Sequence, residues 1–312
     1  MRSTSVKSGN VTVGFVVIRK ATDEDADTVA ALLRAADDAK VVSAAGIRHS
    51  RRTQPERARR LELVAEIDGA VVAMGNAGFD TWTSTEGAGW AFVTVEPGLR
   101  RQGIGDAIGA KLIDHLREVD ATKATCFFRW TEEGERWAVA RGWSRMLSGP
   151  LIALDPRRVP EPSVPAGYRC VAMAEVPPEA VYEAVAAAAI DEPGPVRHDN
   201  IQLDDFMREW DEPDQDLESS SAVLDEAGRV VALSFLNVGG DRAQHGFACT
   251  VADHRGRGLA TAAKQRALHT AAQRGVTRVT TSNAEENAAM RAINRKLGFE
   301  PIGEHVIFGR DL

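Results

Sequence analysis

The 312-residue sequence has three cysteines, no long apolar run and no surplus of positive charge. Cys126, Cys170 and Cys249 are far apart, odd in number and set in apolar or strand-like contexts. That argues against a disulfide framework and leaves no metal-ligand spacing, so no metal site is expected. No apolar stretch approaches the roughly 20 residues of a membrane span, and no membrane partner is expected. Thirty-eight Lys and Arg stand against 45 Asp and Glu, for a net charge of -7. A protein that neutralises phosphate backbones needs the opposite balance, so nucleic acid is not an expected partner. Met1 to Asn10 is polar without an apolar core, so a secretory signal is not expected and a cytoplasmic location is.

What is present is the composition of a globular chain, 44% apolar and 27% charged, with length enough for two domains. One short pattern occurs twice. Arg100-Arg101-Gln102-Gly103-Ile104-Gly105 reads Arg-x-x-Gly-x-Gly, and Arg255-Gly256-Arg257-Gly258-Leu259-Ala260 reads Arg-x-x-Gly-x-Ala. Each follows a β-type run (Trp90 to Val95, Phe247 to Val251) and opens a helix-type run (Asp106 to Glu118, Thr261 to Gln273). A glycine-bearing turn at a helix N-terminus offers unpaired backbone N–H groups at the positive end of the helix dipole, which suits a pyrophosphate. Two copies admit two readings: two nucleotide-type sites, or one live site and one relic.

Other features repeat at nearly the same distance. Gly103 and Gly258 are 155 residues apart; the hairpins Leu63 to Met74 and Ala222 to Leu233 are 159 apart; Arg141-Gly142-Trp143 and Leu297-Gly298-Phe299 are 156 apart. Each half also opens with a strand and a helix, Gly14 to Arg19 then Asp23 to Ala35, and Tyr168 to Met173 then Pro178 to Ala189. Between them Asp155 to Gly167 holds four prolines and reads as a stiff linker. The expected organisation is residues 1–155, a linker at 156–166, and residues 167–312.

With the signature, the hairpin and the downstream Asn287-x2-Met290-x2-Ile293-Asn294-x2-Leu297-Gly298-Phe299 in place, the sequence resembles the GCN5-related N-acetyltransferase (GNAT) superfamily in its tandem form. Mycothiol synthase and several antibiotic-tailoring acetyltransferases share that two-lobed layout. The resemblance covers nearly the whole chain and implies an α/β fold of two GNAT domains, each a mixed, largely antiparallel sheet flanked by helices. It implies acetyl-CoA as the acyl donor, with CoA as product. Val93, Val95, Thr250 and Val251, on strands that splay from their neighbours, would bind the pantetheine arm like an added strand. The two six-residue signatures, Arg100 to Gly105 and Arg255 to Ala260, would hold the pyrophosphate, and Asn287 belongs to a second cofactor motif.

The chemistry needs a neutral amine, donors for the oxyanion and a proton for the leaving thiolate. Many family members place a tyrosine seven residues after the asparagine that matches Asn287. Here that position is Asn294, and the first half aligns Thr131 and Ala138 with Asn287 and Asn294. Asn294 can donate a hydrogen bond but not a proton. His245, at the start of the strand before the second signature, is the candidate base, with a buried structural histidine as the alternative. Its counterpart at an offset of 155 is Trp90. These residues point to the second half as the catalytic one.

The segment from Asp191 to Glu218 holds eleven carboxylates against Arg197 and Arg208. Such a field attracts cationic amines, with Asp204 and Asp205 as contacts and Phe206 and Trp210 as an aromatic wall; a solvated acidic loop is the alternative. Arg48 to Arg60 is the reverse, six arginines and His49 against Glu56. It could bind the CoA 3′-phosphate, face the acidic segment, accept an anionic substrate, or be a plain basic helix face. The expected activity is acetyl-CoA-dependent N-acetylation of a small-molecule primary amine (natural product, amino sugar or polyamine type) in a ternary complex, by a monomer or homodimer. An acetyl-CoA sensor without turnover, and a protein-lysine acetyltransferase, are the other readings.

Overall fold

A computed structural model describes residues 16–312, so Met1 to Asn10 and the start of the first expected strand lie outside the described residues. The first half runs β1 (Val16–Lys20), α1 (Ala26–Ala36), α2 (Ala44–Thr53), β2 (Leu61–Ile67), β3 (Ala70–Phe79), β4 (Ala88–Val95), α3 (Ile104–Glu118), β5 (Lys123–Arg129), α4 (Glu132–Val139) and β6 (Ser144–Leu154). The second runs β7 (Arg169–Ala172), α5 (Pro178–Ala189), α6 (Leu203–Trp210), β8 (Ser221–Leu224), β9 (Val230–Gly239), β10 (Arg242–Thr250), α7 (Leu259–Gln273), β11 (Arg278–Ser282), α8 (Ala288–Leu297) and β12 (Glu300–Asp311). Local chemistry accounts for the punctuation. Asp68 and Gly69 both take positive φ (51° and 80°), as the tight turn between β2 and β3 requires.

Among the described residues twelve strands form one sheet, in the order β1-β2-β3-β4-β5-β12-β6-β11-β10-β9-β8-β7. Only β4 with β5 and β10 with β11 run parallel; the other pairs are antiparallel. The two halves therefore exchange their last strands. β12, the end of the second half, pairs with β5 from His305↔Arg129 to Asp311↔Lys123. β6, the end of the first half, pairs with β11 from Leu151↔Ser282 to Leu154↔Val279. Between them β6 and β12 pair with each other across the pseudo-symmetric centre.

The exchange is buried. Val306 and Phe308 of β12 are fully inaccessible and sit in the core under α3, with Ile108, Leu112 and Leu116. Ile152 and Leu154 of β6 sit under α7, with Ala267, Leu268 and Ala271. His305 of β12 also reaches the loop after α1, where its Nε2 is 3.1 Å from Asp37 Oδ2. Burial alone would raise the Asp37 pKa, but His305 and the Ala39 N–H hold it below the usual carboxylate value. The Pro-rich connection is docked: Pro156 is buried and Val159 joins the core under α7.

Phe308→Ala, a substitution in the second half of the chain, is expected to empty space in the first lobe's core. It should lower the unfolding free energy by about 3–5 kcal/mol in urea denaturation. Met146→Ala, on the exposed side of β6, should leave it within about 0.5 kcal/mol.

Candidate active site

Each signature forms the same turn. Gly103 (φ 78°) and Gly258 (φ 82°) are the left-handed N-caps of α3 and α7. Two residues earlier the chain is left-handed again, at Arg101 (φ 65°) and Gly256 (φ 76°). The arginine Nε that opens each turn donates back to the end of the preceding strand, Arg100 to Val95 O (3.3 Å) and Arg255 to Thr250 O (3.0 Å). Backbone N–H groups at the starts of α3 and α7 are left for a ligand.

The parallel pairs splay as the resemblance implies. β4 and β5 pair only from Ala88↔Lys123 to Trp90↔Thr125, and β10 and β11 only from Arg242↔Arg278 to Gln244↔Thr280. In the first lobe the opening leads into a cleft of about 910 Å³ between β4, α3 and α4. Val93, Val95, Arg100, Arg101, Gly103, Ile104 and Gly105 line it, together with Lys40 and Trp137, which sequence reasoning missed. Gln102 lies outside the lining, and its Oε1 is buried without a hydrogen-bond partner. Trp137 Nε1 donates to Asp106 Oδ1 (2.8 Å), and the Arg141 guanidinium stacks 4.6 Å from the Trp137 ring centre. Burial depresses the Lys40 pKa, and its ammonium lies 5.9 Å from the Phe92 ring centre.

In the second lobe Leu259 and Ala260 are buried at the start of α7. Arg255 pairs with Asp191 (2.7 Å) and Arg257 donates to Tyr168 Oη (2.7 Å). Asn287 is the N-cap of α8, its Oδ1 accepting from Met290 N (3.1 Å). Thr131 does the same for α4, accepting from Gly134 N (3.0 Å), so the first half has not lost this function. Asn294 is buried on the inner face of α8, its Nδ2 donating to Asn283 Oδ1 (2.6 Å).

His245 is not placed as the base expected from the sequence. It is 4% exposed, with Nε2 2.7 Å from Ser234 Oγ and Nδ1 3.1 Å from Gly246 O. Burial first, and the charge of Lys264 second, hold its pKa well below the ordinary histidine value. A bulge between His245 and Ala248 inserts one residue into β10. By ladder position His245 (opposite Leu236) therefore matches Ala91 (opposite Ala77), a core position, and not Trp90.

The acidic and basic segments meet. Asp205, 3% exposed, is ion-paired with Arg57 of the first lobe and Arg208 of its own helix. His49 Nε2 hydrogen-bonds Arg208 O at 2.8 Å, and Asp214 Oδ2 accepts from Ser43 N at 2.7 Å. Gly46 permits this approach, since a Cβ there would lie 2.7 Å from Asp214 Oδ2. Asp205 is thus a clasp between lobes and not a substrate contact, while Asp204 is exposed at the surface.

Between the lobes lies a second cavity, of about 510 Å³. α1, α2 and β4 wall one side; α6, β9 and β10 wall the other. Phe206 and Trp210 line it as expected. So do Glu209 and Glu212, which sequence reasoning did not single out, although Phe206, Glu209 and Trp210 fall at i, i+3 and i+4 on one helix face. Glu209 keeps an accessible surface because it faces the cavity, yet protein encloses it. That enclosure, then the charges of Glu212 and Asp80, push its pKa up to about 7 against the pull of His198. Burial, then Asp214, does the same for Glu212, also to about 7. Leu33 and Phe92 line both the cavity and the cleft, so the two spaces share a wall beside the splay of β4.

Comparison with known proteins agrees with this architecture. Residues 32–140 match a family model described as the acetyltransferase (GNAT) family, and residues 178–300 match one described as an acetyltransferase (GNAT) domain. The chain belongs to the GNAT superfamily, as a tandem protein with one such domain in each half. Among solved structures it is similar to a tandem GNAT protein from the clavulanic acid biosynthesis pathway (22% identity, 95% of this chain and 98% of that one, TM-score 0.72). It is also similar to a GCN5-related N-acetyltransferase from Sphaerobacter thermophilus (18% identity, 95% of each chain, TM-score 0.70) and to an acetyltransferase-like protein from Pyrococcus horikoshii (14% identity, 98% and 92%, TM-score 0.62). No curated protein matches the chain. Among the described residues no helix is long and apolar enough to cross a membrane.

Asp205→Asn is expected to cost about 1–3 kcal/mol in thermal or denaturant unfolding, by leaving two guanidinium groups short of a partner. Asp204→Asn should be silent within about 0.5 kcal/mol.

Proposed function

We propose that the protein is an acetyl-CoA-dependent N-acetyltransferase that binds its cofactor in the first lobe and a small primary amine in the cavity between the lobes. The observation that carries this reading is the shared wall at Leu33 and Phe92, where the cleft that follows the first signature adjoins the inter-lobe cavity. The sequence pointed to the second half through Asn287, Asn294 and His245; there Asn287 caps α8, and Asn294 and His245 are buried.

The cofactor fits the first lobe on local grounds. The left-handed turn at Arg101 and Gly103 leaves the first N–H groups of α3 for a pyrophosphate, with Arg100 and Arg101 beside them. Gly105 adds no side chain, and a Cβ there would stand 3.4 Å from Val95 on the cleft wall. The unpaired edge of β4 from Ala91 onward offers backbone groups to the pantetheine amides. When bound, acetyl-CoA supplies the thioester carbonyl, to which the amine nitrogen bonds as the C–S bond breaks.

The chain's own residues prepare the amine. It arrives as an ammonium ion, because amines are protonated at neutral pH. Phe92, Phe206, Trp210 and Phe235 give it an apolar wall. Glu209 is the group we assign to take its proton, since a carboxylate poised near 7 is matched to that transfer at neutral pH. Most other carboxylates of the acidic segment near the cavity are committed: Asp205 to two arginines, Asp214 to Ser43 N. Glu62, on the opposite wall, is held by Arg51 and Arg60. The acidic segment thus narrows to a local proton acceptor beside an apolar body, a site for a compact amine with an apolar framework.

Two outcomes test the reading. Gly105→Glu should abolish acetyl-CoA binding and acceptor-dependent thiol release, while Gly258→Glu retains both; the reverse pattern would place the site in the second lobe. For Glu209, the basic form accumulates above its raised pKa. kcat/KM with a good amine should therefore rise about tenfold per pH unit below 7 and level off above it. Glu209→Gln should lower the plateau by about 10²–10⁴-fold and flatten the profile, with acetyl-CoA affinity unchanged.

A further inference from the structure

We propose that the second lobe is a cofactor fold closed from within, with Lys264 and Met290 filling the cleft that the first lobe keeps open. The cleft of the first lobe is lined by three glycines on facing helices, Gly105 and Gly109 on α3 and Gly134 on α4. The repeat carries these positions to Ala260 and Lys264 on α7, at an offset of 155, and to Met290 on α8, at an offset of 156. The second offset is fixed by the helix N-caps, Thr131 for α4 and Asn287 for α8. The three helix glycines of the first lobe's cleft are thus side chains in the second, while Gly103 of the turn keeps its glycine as Gly258.

Those side chains meet. Lys264 is 1% exposed although it carries an ammonium group. Its Nζ lies 3.8 Å from Met290 Sδ and 5.6 Å from the centre of the Phe299 ring. The four methylenes of Lys264 therefore cross from α7 to α8, on the side where Gly109 of the first lobe faces the Trp137 ring, 3.6 Å from where a Cβ would stand. None of the ion pairs among the described residues includes Lys264. Desolvation pushes its pKa down to about 7, so burying it costs stability at any pH where the unfolded lysine is charged. A buried amine kept without a carboxylate is filling space, and the space is the one a pantetheine arm would need. The turn at Gly256 and Gly258 keeps its phosphate-binding shape, but the route from it to the sheet is blocked.

The inference builds on the assignment of the cofactor to the first lobe, and the test separates the two. Isothermal titration with CoA is made on three full-length proteins: wild type, Lys264→Met, and the double variant Lys264→Gly with Met290→Gly. Wild type and Lys264→Met should each bind one CoA per chain. The double variant should bind two, the second lost on adding Gly258→Glu. Two sites in the wild type would overturn the plug. So would a double variant that retains native circular dichroism and gains no site. A wild type that binds no CoA counts against the first-lobe site, and the double variant's gain or failure to gain a site still decides the plug. Should the double variant not fold, the mirror substitutions Gly109→Lys and Gly134→Met in the first lobe decide. They should abolish the single wild-type site while native circular dichroism is kept, and retention of that site would overturn the plug. Lys264→Met keeps the volume and removes the buried amine, so its melting temperature at pH 8 should exceed that of wild type by at least about 2 °C.

Discussion

The exchange of β6 and β12 is the constraint on which the rest of the structure depends. Two separate lobes joined by a Pro-rich linker would be free to rock, and any cavity between them would open and close. Here each lobe's core is completed by a strand from the other half, Phe308 under α3 and Leu154 under α7. Separating the lobes would expose both cores and break the long β6–β12 ladder. The inter-lobe cavity is therefore a fixed feature, and its opposing walls can act as one site. That is how Glu209, from the second half of the chain, comes to line a cavity whose other wall is built by α1, α2 and β4 of the first.

Charge is distributed to the same end. The basic stretch near α2 and the acidic stretch around α6 neutralise one another across the lobe boundary, through Arg57 with Asp205 and the hydrogen bonds of Ser43 and His49. What remains facing the cavity is a pair of glutamates whose pKa values are raised by enclosure. A strongly acidic loop thus contributes two glutamates to a largely apolar chamber. The duplication supplies two copies of the signature turn with different surroundings. Gly109 and Gly134 line the cleft of the first lobe, and at the matching positions of the second Lys264 Nζ stands 3.8 Å from Met290 Sδ.

Much of this was legible in the sequence, for reasons that can be named. The signature turns were legible because left-handed backbone at a helix start strongly favours glycine, and the repeat offsets because both halves keep the same element order. The strand exchange was not. β6 and β12 carry the alternation of a strand in either lobe, and nothing in that pattern names a neighbour. His245 was misplaced by one bulge, which shifts the ladder by a residue and turns a side chain to the other face. Thr131 differs from Asn287 in the alignment, yet both are good N-caps. Glu209 was hidden among eleven carboxylates, and only the folded structure places it in the cavity beside Phe206 and Trp210.

Backbone hydrogen exchange with and without acetyl-CoA tests the central claim most directly, because it reports both lobes in one experiment. The account predicts slowed exchange on β4 from residue 91 and in the turn at 100–106, with the turn at 255–261 unchanged. Protection of 255–261 with 100–106 unaffected would contradict it.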